Sequence, residues 1–301
     1  MEFFDYNTVH EAWEKLTHSK VDMEKFYHSP YQILGNDIEA GTINQWHCEY
    51  VWLKDKKPYY NIYPGIIRHL IKLKEEKVPT SAISLPIAPI VFRMPKNNDD
   101  FKVVWQNQSY QLRTILAHEA KIEVDMTTAN VHHKRSMMVW MDFGERNINI
   151  PIHFYKKIPL SEETMLEEAI DKLPDSPTSQ IGMQVPEEML RNAIRLVLST
   201  CLISQDLEDG LIVPDVLSDD RIKYEQSKFD PKYVDKAKRR GKFGFNVGAS
   251  IEIAPHWRGP SPLALYWTGE GRKTPKYRYR KGSIVHREIV KEIPSGYKEN
   301  E

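Results

Sequence analysis

The chain has few cysteines, no long apolar run and no net charge, and the first two absences exclude whole classes of protein. Only two cysteines, Cys48 and Cys201, occur in 301 residues, and they form no CxxC pair. Neither a disulfide framework nor a thiolate zinc site is therefore expected. The longest apolar stretch, residues 83–92, contains prolines and is shorter than the roughly 20 residues of a membrane span. The acidic N-terminus lacks the basic segment of a signal peptide, so we expect a cytoplasmic protein without membrane contact.

The motifs of common catalytic and cofactor sites are also missing. The sequence has no GxxxxGK[ST] phosphate loop and no GxSxG nucleophile elbow. His118-Glu119 is not followed by the second histidine that a HExxH zinc site needs. We therefore expect no cofactor and no metal ion. The residues favour a binding protein over an enzyme, and they leave enzymatic activity open.

One catalytic alternative is a two-carboxylate nuclease. Asp99 or Asp100 combined with Glu119-Ala120-Lys121 matches the short pattern of such a site, but residues 55–57 and 75–77 match it as well. A pattern that recurs three times carries little information. Charged residues on a half-exposed strand explain it equally well, so an RNA-cleaving enzyme that uses Glu119, Lys121, Glu123 or the C-terminal histidines stays the second hypothesis.

The neutral net charge conceals a division between two parts of the chain. Residues 228–287 hold 15 Lys+Arg and 4 Asp+Glu, while the remainder holds 27 and 38. This segregation suggests that the basic part meets an anionic partner such as RNA. The alternative is that the basic part packs against the acidic part of the same chain.

Hydrophobic periodicity predicts an α+β fold. Apolar residues at helical spacing indicate helices within residues 1–30, over 64–77 and over 187–204. The last of these is apolar on nearly every side, which is typical of a helix in the core. Apolar runs and turn residues over 82–158 predict one antiparallel sheet. We expect N-terminal helices and one central apolar helix packed on this sheet, with a basic, β-rich C-terminal part.

Composition divides the chain into three regions. Residues 1–205 form the predicted α+β core, 206–247 an acidic-to-basic linker or excursion, and 248–301 a basic, aromatic, β-rich region docked on the core. Within the core, the alternation of Cys48, Tyr50 and Trp52 with other residues predicts a short strand.

The most informative stretch is residues 254–281, in which arginines alternate with tyrosines and tryptophans. This composition suits base stacking with phosphate contacts, and it also suits an extended peptide bound by strand addition. A third interpretation is a solvated edge strand whose aromatic side chains pack inward.

This stretch resembles the C-terminal signature of a family of anti-CRISPR proteins. The matching residues are Pro255-His256-x-Arg258, Tyr266-Trp267-x-Gly269-x-Gly271 and the basic, aromatic strand at 277–281. The family is encoded by phages and plasmids and is directed against the type V-A CRISPR effector nuclease. Residues 79–86 and the helix at 189–202 with the Val213–Val216 segment match it in the same order. The chain departs from the family at residues 259–262, where the family has a second histidine.

The resemblance implies a regulator encoded by a mobile element and acting in the cytoplasm of a bacterial host. Such proteins recognise the N-terminal residues of the nascent effector and cause loss of its mRNA during translation. The partner would be a client protein or nascent peptide, with ribosomal or messenger RNA contacted through residues 228–287. A virion or assembly component is a third hypothesis.

The resemblance and the composition together select the residues that would contact a partner or RNA. We expect His256, Arg258, Trp267 and Arg278 to line a common surface. The full set of candidate partner- or RNA-binding residues is His256, Trp257, Arg258, Tyr266, Trp267, Gly269, Gly271, Arg272, Lys273, Tyr277, Arg278 and Arg280.

Overall fold

The structure, a computed structural model, has an α+β fold. It describes residues 2–35, 40–55, 57–72, 78–85, 87–121, 123–124, 131–132, 134–144, 152–172, 185–204, 212–214, 244–248, 264–268 and 274–278. The helices are α1 (Val9–Thr17), α2 (Met23–His28), α3 (Pro30–Leu34), α4 (Ala40–Lys54), α5 (Pro64–Lys72), α6 (Leu166–Asp171) and α7 (Glu187–Ser204). The strands are β1 (Tyr59–Ile62), β2 (Ile90–Arg93), β3 (Lys102–Trp105), β4 (Gln108–Ala120), β5 (Glu123–Val124), β6 (Val131–His132), β7 (Ser136–Gly144), β8 (Ile152–Pro159), β9 (Ile212–Pro214), β10 (Gly244–Val247), β11 (Ala264–Thr268) and β12 (Thr274–Arg278). No helix within these ranges has the length and apolarity of a membrane span.

Eight strands form the main sheet. Seven of them follow the order β8-β7-β4-β2-β1-β10-β9, and β3 pairs with the first part of β4. The pairs β2–β4, β4–β7 and β7–β8 are antiparallel, which confirms the sheet predicted over residues 82–158. Strand β1 runs parallel to both β2 and β10, so the complete sheet is mixed.

The sheet is covered by helices on both faces. Successive strand residues point to opposite faces, and two neighbouring strands show the alternation directly. Phe92 and Ile115 lie in the large core that includes α5, α6 and α7. Val91 and Leu116 lie in a second core with residues of α4. Helices α1 and α2 pack on the outer side of α4, where the rings of Phe26 and Trp46 stack with centroids 4.4 Å apart.

The strand predicted around Cys48, Tyr50 and Trp52 is wrong, because these residues lie within helix α4. Cys48 and Trp52 are four residues apart, so they share the helix face that meets the sheet. Trp46 and Tyr50 lie on the side that meets α2. A helix buried on two sides has no single apolar stripe, and its sequence therefore gave a misleading alternation.

The two strongest helix predictions are confirmed. Helix α7 covers residues 187–204 as predicted, and nearly all of its second half is buried. Helix α5 begins at Pro64 as predicted and buries Ile66, Ile67 and Leu70, and the predicted continuation over 73–77 lies outside the described residues. The two helices lie side by side on the sheet, and the Ser199 hydroxyl donates a hydrogen bond of 3.1 Å to the carbonyl of Leu70.

Both ends of the predicted linker contribute strands. Strands β9 and β10 lie within residues 206–247 and form one edge of the main sheet. Strands β11 and β12 form a separate antiparallel hairpin, and residues of β12 come within 8 Å of α7 between Cα atoms. The rest of the β-rich region predicted over residues 248–301 lies outside the described residues, and the division into three regions stays a prediction.

Candidate functional site

The candidate residues chosen from the sequence are divided between the β11–β12 hairpin and positions outside the described residues. Tyr266 and Trp267 lie on β11, and Tyr277 and Arg278 lie on β12. Those outside the described residues are His256, Trp257, Arg258, Gly269, Gly271, Arg272, Lys273 and Arg280.

The register of the hairpin separates two positions that were expected to share a surface. Position 267 pairs with position 275, and position 264 pairs with position 278. Directly paired positions of an antiparallel hairpin lie on the same face, and neighbours along a strand alternate. Positions 267 and 278 are therefore on opposite faces of the hairpin, and the expectation of one surface for both is wrong.

Among the described residues of the nuclease hypothesis, Asp100 and Glu119 are not brought together. Asp100 lies next to Phe101, whose carbonyl accepts a hydrogen bond from Leu112 at the beginning of β4. Glu119 lies near the other end of this strand. Glu119 lies seven residue steps along the strand from Leu112, which corresponds to roughly 23 Å at 3.3 Å per residue. Two carboxylates at this distance cannot share a metal ion or a scissile phosphate.

Each of these carboxylates has a structural role instead. Glu119 is buried, forms an ion pair of 3.0 Å with Arg135, and accepts a hydrogen bond of 3.1 Å from the backbone N–H of Leu85. Asp99 forms an ion pair with Lys102, and Asp100 forms one with Arg68. Within the described ranges, no group of three or more His, Cys, Asp or Glu side chains is arranged to hold a metal ion.

A groove of about 540 Å³ lies on the face of the sheet that carries α4, where the N-terminal segment (residues 2–8), the end of α4 and strands β1 and β2 meet. The N-terminal segment supplies one wall with Asp5, Tyr6 and Asn7. The volume of the groove is within the range of small-molecule pockets.

The floor of the groove is built from a tyrosine and an arginine on adjacent strands. The guanidinium of Arg93 lies 4.7 Å from the ring centroid of Tyr59. Its Nε donates a hydrogen bond of 3.0 Å to the carbonyl of Phe4, and its Nη2 pairs with Asp5. The Tyr59 ring can occupy this place because Gly244 lies beside it on β10, and a Cβ at Gly244 would overlap the ring.

The second wall is formed by the end of α4 and the connection to β1. Trp52 is buried, and its indole N–H donates a hydrogen bond of 2.8 Å to the carbonyl of Pro58. The Nζ of Lys57 lies 5.8 Å from the Trp52 ring centroid. Lys57 is exposed, so its ammonium is available at the rim of the groove.

Beneath the first wall, a fully buried carboxylate holds the N-terminal segment and α2 to α4. Glu49 accepts hydrogen bonds from the Tyr6 hydroxyl at 2.5 Å, the Gln45 amide at 3.1 Å, the Val9 backbone at 2.8 Å and the Tyr27 hydroxyl at 2.9 Å. Burial raises the pKa of Glu49 to about 7, and these hydrogen bonds oppose that increase. Burial and the charge of Glu49 also raise the pKa of Tyr6 well above its usual value, so both tyrosines act as donors.

The charges around the groove are balanced. Asp5 and Glu11 are acidic, whereas Lys57 and Arg93 are basic. A polyanion such as RNA gains little attraction from such a site. Aromatic surface and mixed charges instead suit a short protein segment with both apolar and charged side chains.

Sequence reasoning did not identify the groove. Residues 31–61 are rich in aromatic side chains, but the roles of these side chains depend on distant partners. Tyr59 needs Gly244, and Arg93 needs the backbone of Phe4. These contacts join parts of the chain that are far apart in sequence, and no local pattern encodes them.

Comparison with solved structures gives a likeness in fold. No protein-family model matches the chain, and no curated protein is similar to it. Among solved structures, the chain is similar to the crystal structure of AcrVA2, a type V-A anti-CRISPR protein, with a TM-score of 0.50 and 14% sequence identity. The similarity covers 91% of this chain and 90% of that chain. At this identity the likeness is one of fold.

Proposed function

We propose that this chain is an anti-CRISPR-like regulator that binds a segment of a client protein and lowers production of the client. The observation that carries the proposal is the likeness in fold to AcrVA2, which extends over 91% of the chain. The sequence resemblance at residues 255–281 supports the same family independently, because it rests on side chains rather than on topology.

The groove supplies a site for the client segment. The walls and the floor of the groove carry aromatic rings together with acidic and basic side chains. The client segment we propose is the N-terminal part of a type V-A effector, recognised as it leaves the ribosome. Ribosomal or messenger RNA would be contacted through residues 228–287, whose excess of basic residues complements phosphate.

A direct binding measurement tests this site. A fluorescently labelled peptide with the N-terminal residues of a type V-A effector is titrated with the full-length chain, and anisotropy is recorded. We expect saturable binding that is weakened about tenfold by the double variant Asp5→Ala/Lys57→Ala, because charge-assisted contacts at the rim are lost.

The matched control is the double variant Arg68→Ala/Asp100→Ala. Like the first double variant, it removes one acidic and one basic side chain. Arg68 and Asp100 form an exposed ion pair that involves α5, on the other face of the sheet from the groove. Absence of peptide binding, or equal weakening by both double variants, would contradict the proposed site.

A further inference from the structure

The N-terminal segment is attached to the body of the protein by few backbone contacts. The N–H of Phe4 donates a hydrogen bond of 3.0 Å to the carbonyl of Met94, and the N–H of Lys96 donates one of 3.1 Å to the carbonyl of Glu2. The side-chain ion pairs Lys96–Glu2 and Arg93–Asp5 are partly exposed. Exposed ion pairs contribute little to stability, so these contacts alone hold the segment weakly.

Phe4 and Tyr6 are buried in the large and the second core, and the buried carboxylate of Glu49 is the attachment of the segment that can change its charge. Of its four hydrogen bonds, two come from the beginning of the chain, from the Tyr6 hydroxyl and the Val9 N–H. All four donors are neutral, since they are two phenols, an amide side chain and a backbone N–H. Burial penalises the charged form of a carboxylate, and a nearby cation offsets this penalty. With neutral donors alone, ionisation of a buried carboxylate therefore costs much more free energy.

The titratable groups around Glu49 come from each element that packs there. Tyr6 belongs to the N-terminal segment and Tyr27 to α2, and His10 of α1 lies against the ring of Tyr27. Cys48 is adjacent on α4, and burial together with the charge of Glu49 raises the pKa of its thiol. From the sheet, the charge of Asp142 acts on Tyr6, but Asp142 is itself paired with Arg113.

We propose that the protonation state of Glu49 controls whether the N-terminal segment lies closed against α4 and the sheet, and that it thereby sets the position of one wall of the groove. The dependence of N-terminal segment closing on the protonation of Glu49 is a property of the free protein. Its consequence for the client rests on the proposed function, because only that proposal places a client in the groove.

The direction of the effect follows from proton linkage. In the closed state burial raises the pKa of Glu49 to about 7, whereas the ordinary pKa of a hydrated glutamate is 4.5. Closing therefore takes up a proton at pH values between these two. The contribution to closing is fully present at low pH and is lost as the pH rises through about 7, so alkaline conditions favour the open segment.

Backbone hydrogen exchange tests the proposal on the free, full-length protein. The amides of Phe4 and Val9 report closing, and the amides of β4 and β7 report global unfolding. From pH 5.5 to 8.5, after correction for intrinsic exchange, protection of Phe4 and Val9 should fall at least about tenfold, as the linkage predicts. Protection in the central strands should change much less.

The variant Glu49→Gln removes the titrating group and keeps its size, so protection of Phe4 and Val9 should then be independent of pH. Tyr27→Phe offers a second route if Glu49→Gln does not fold. It removes one donor to the carboxylate, and the fall in protection should then continue to a higher pH than in the natural protein.

Three results would overturn the proposal. Protection of Phe4 and Val9 could be constant with pH in the natural protein, could fall equally in Glu49→Gln, or could fall together with that of β4 and β7. Because no client is present, each of these results leaves the peptide-binding test of the proposed function unaffected.

Discussion

Three buried carboxylates show how the partner of a residue determines what that residue can do. Glu49 receives neutral donors and has a raised pKa. Asp142 is fully buried and faces the guanidinium of Arg113, with contacts of 3.1 and 3.2 Å. Glu119 is paired with Arg135 and caps a backbone N–H. Glu49 has only neutral hydrogen-bond donors, and burial raises its pKa to about 7, so we expect Glu49 to titrate near neutral pH.

The Arg113–Asp142 pair gives the first prediction. Asp142→Asn leaves the buried Arg113 without a counter-charge, and this should reduce the free energy of unfolding by about 3–5 kcal/mol. Denaturant unfolding measures the change. Asp100→Asn is the control, because its partner Arg68 is largely exposed, and it should cost less than about 1 kcal/mol. Similar losses in both variants would show that the buried pair is not special.

The second prediction concerns Glu119 and tests the nuclease hypothesis. Glu119→Gln weakens the contact with Arg135, so it should lower stability by about 1–3 kcal/mol. The regulatory activity of the folded protein should not change, because Glu119 contacts only structural groups. Thermal melts beside an effector-abundance assay measure both quantities. Loss of activity in a variant that melts like the natural protein would reopen the catalytic interpretation, since a catalytic carboxylate contributes orders of magnitude in rate.

At the scale of elements, the parallel pair β1–β10 positions the Tyr59 ring in the floor of the groove. Tyr59 and Gly244 are directly paired, and the ring of Tyr59 lies over the glycine. Gly244→Ala should displace the ring and lower the free energy of unfolding by about 1–3 kcal/mol. In a Tyr59→Ala background the same change should have little effect. Chemical unfolding of the two single variants and the double variant gives the coupling energy, and additive losses would contradict the assigned contact.

Elements were predictable where their sequence pattern is local. Helix α7 is apolar over most of its 18 residues, and strands β2, β4, β7 and β8 pair with one another in chain order as antiparallel neighbours. Helix α4 was not predictable, because burial of Cys48 toward the sheet and Trp46 toward α2 removes a single apolar stripe. Strand β10 was hidden because its partner β1 lies about 180 residues earlier, and pairing over such a distance leaves no local signal.

For the whole molecule, the sequence predicted the fold class and the family likeness, but not the groove. The fold class follows from the order of helices and strands, which a sequence carries directly. The groove is formed by residues such as Asp5, Trp52, Tyr59 and Arg93, which come from four separate parts of the chain and meet only in the folded protein. The residues predicted at 256–258 and 269–273 lie outside the described part of the chain, and their role stays a prediction.

The central claim is that the chain lowers production of a client by binding it in the groove, and effector abundance in cells tests this most directly. A tagged type V-A effector is expressed with the natural chain, with Asp5→Ala/Lys57→Ala, or with Arg68→Ala/Asp100→Ala, and its protein and mRNA are quantified. The account predicts that the natural chain and the Arg68/Asp100 variant both lower effector protein and mRNA severalfold, and that the Asp5/Lys57 variant restores both. Unchanged effector levels with the natural chain, or full activity of an equally abundant Asp5/Lys57 variant, would contradict the account.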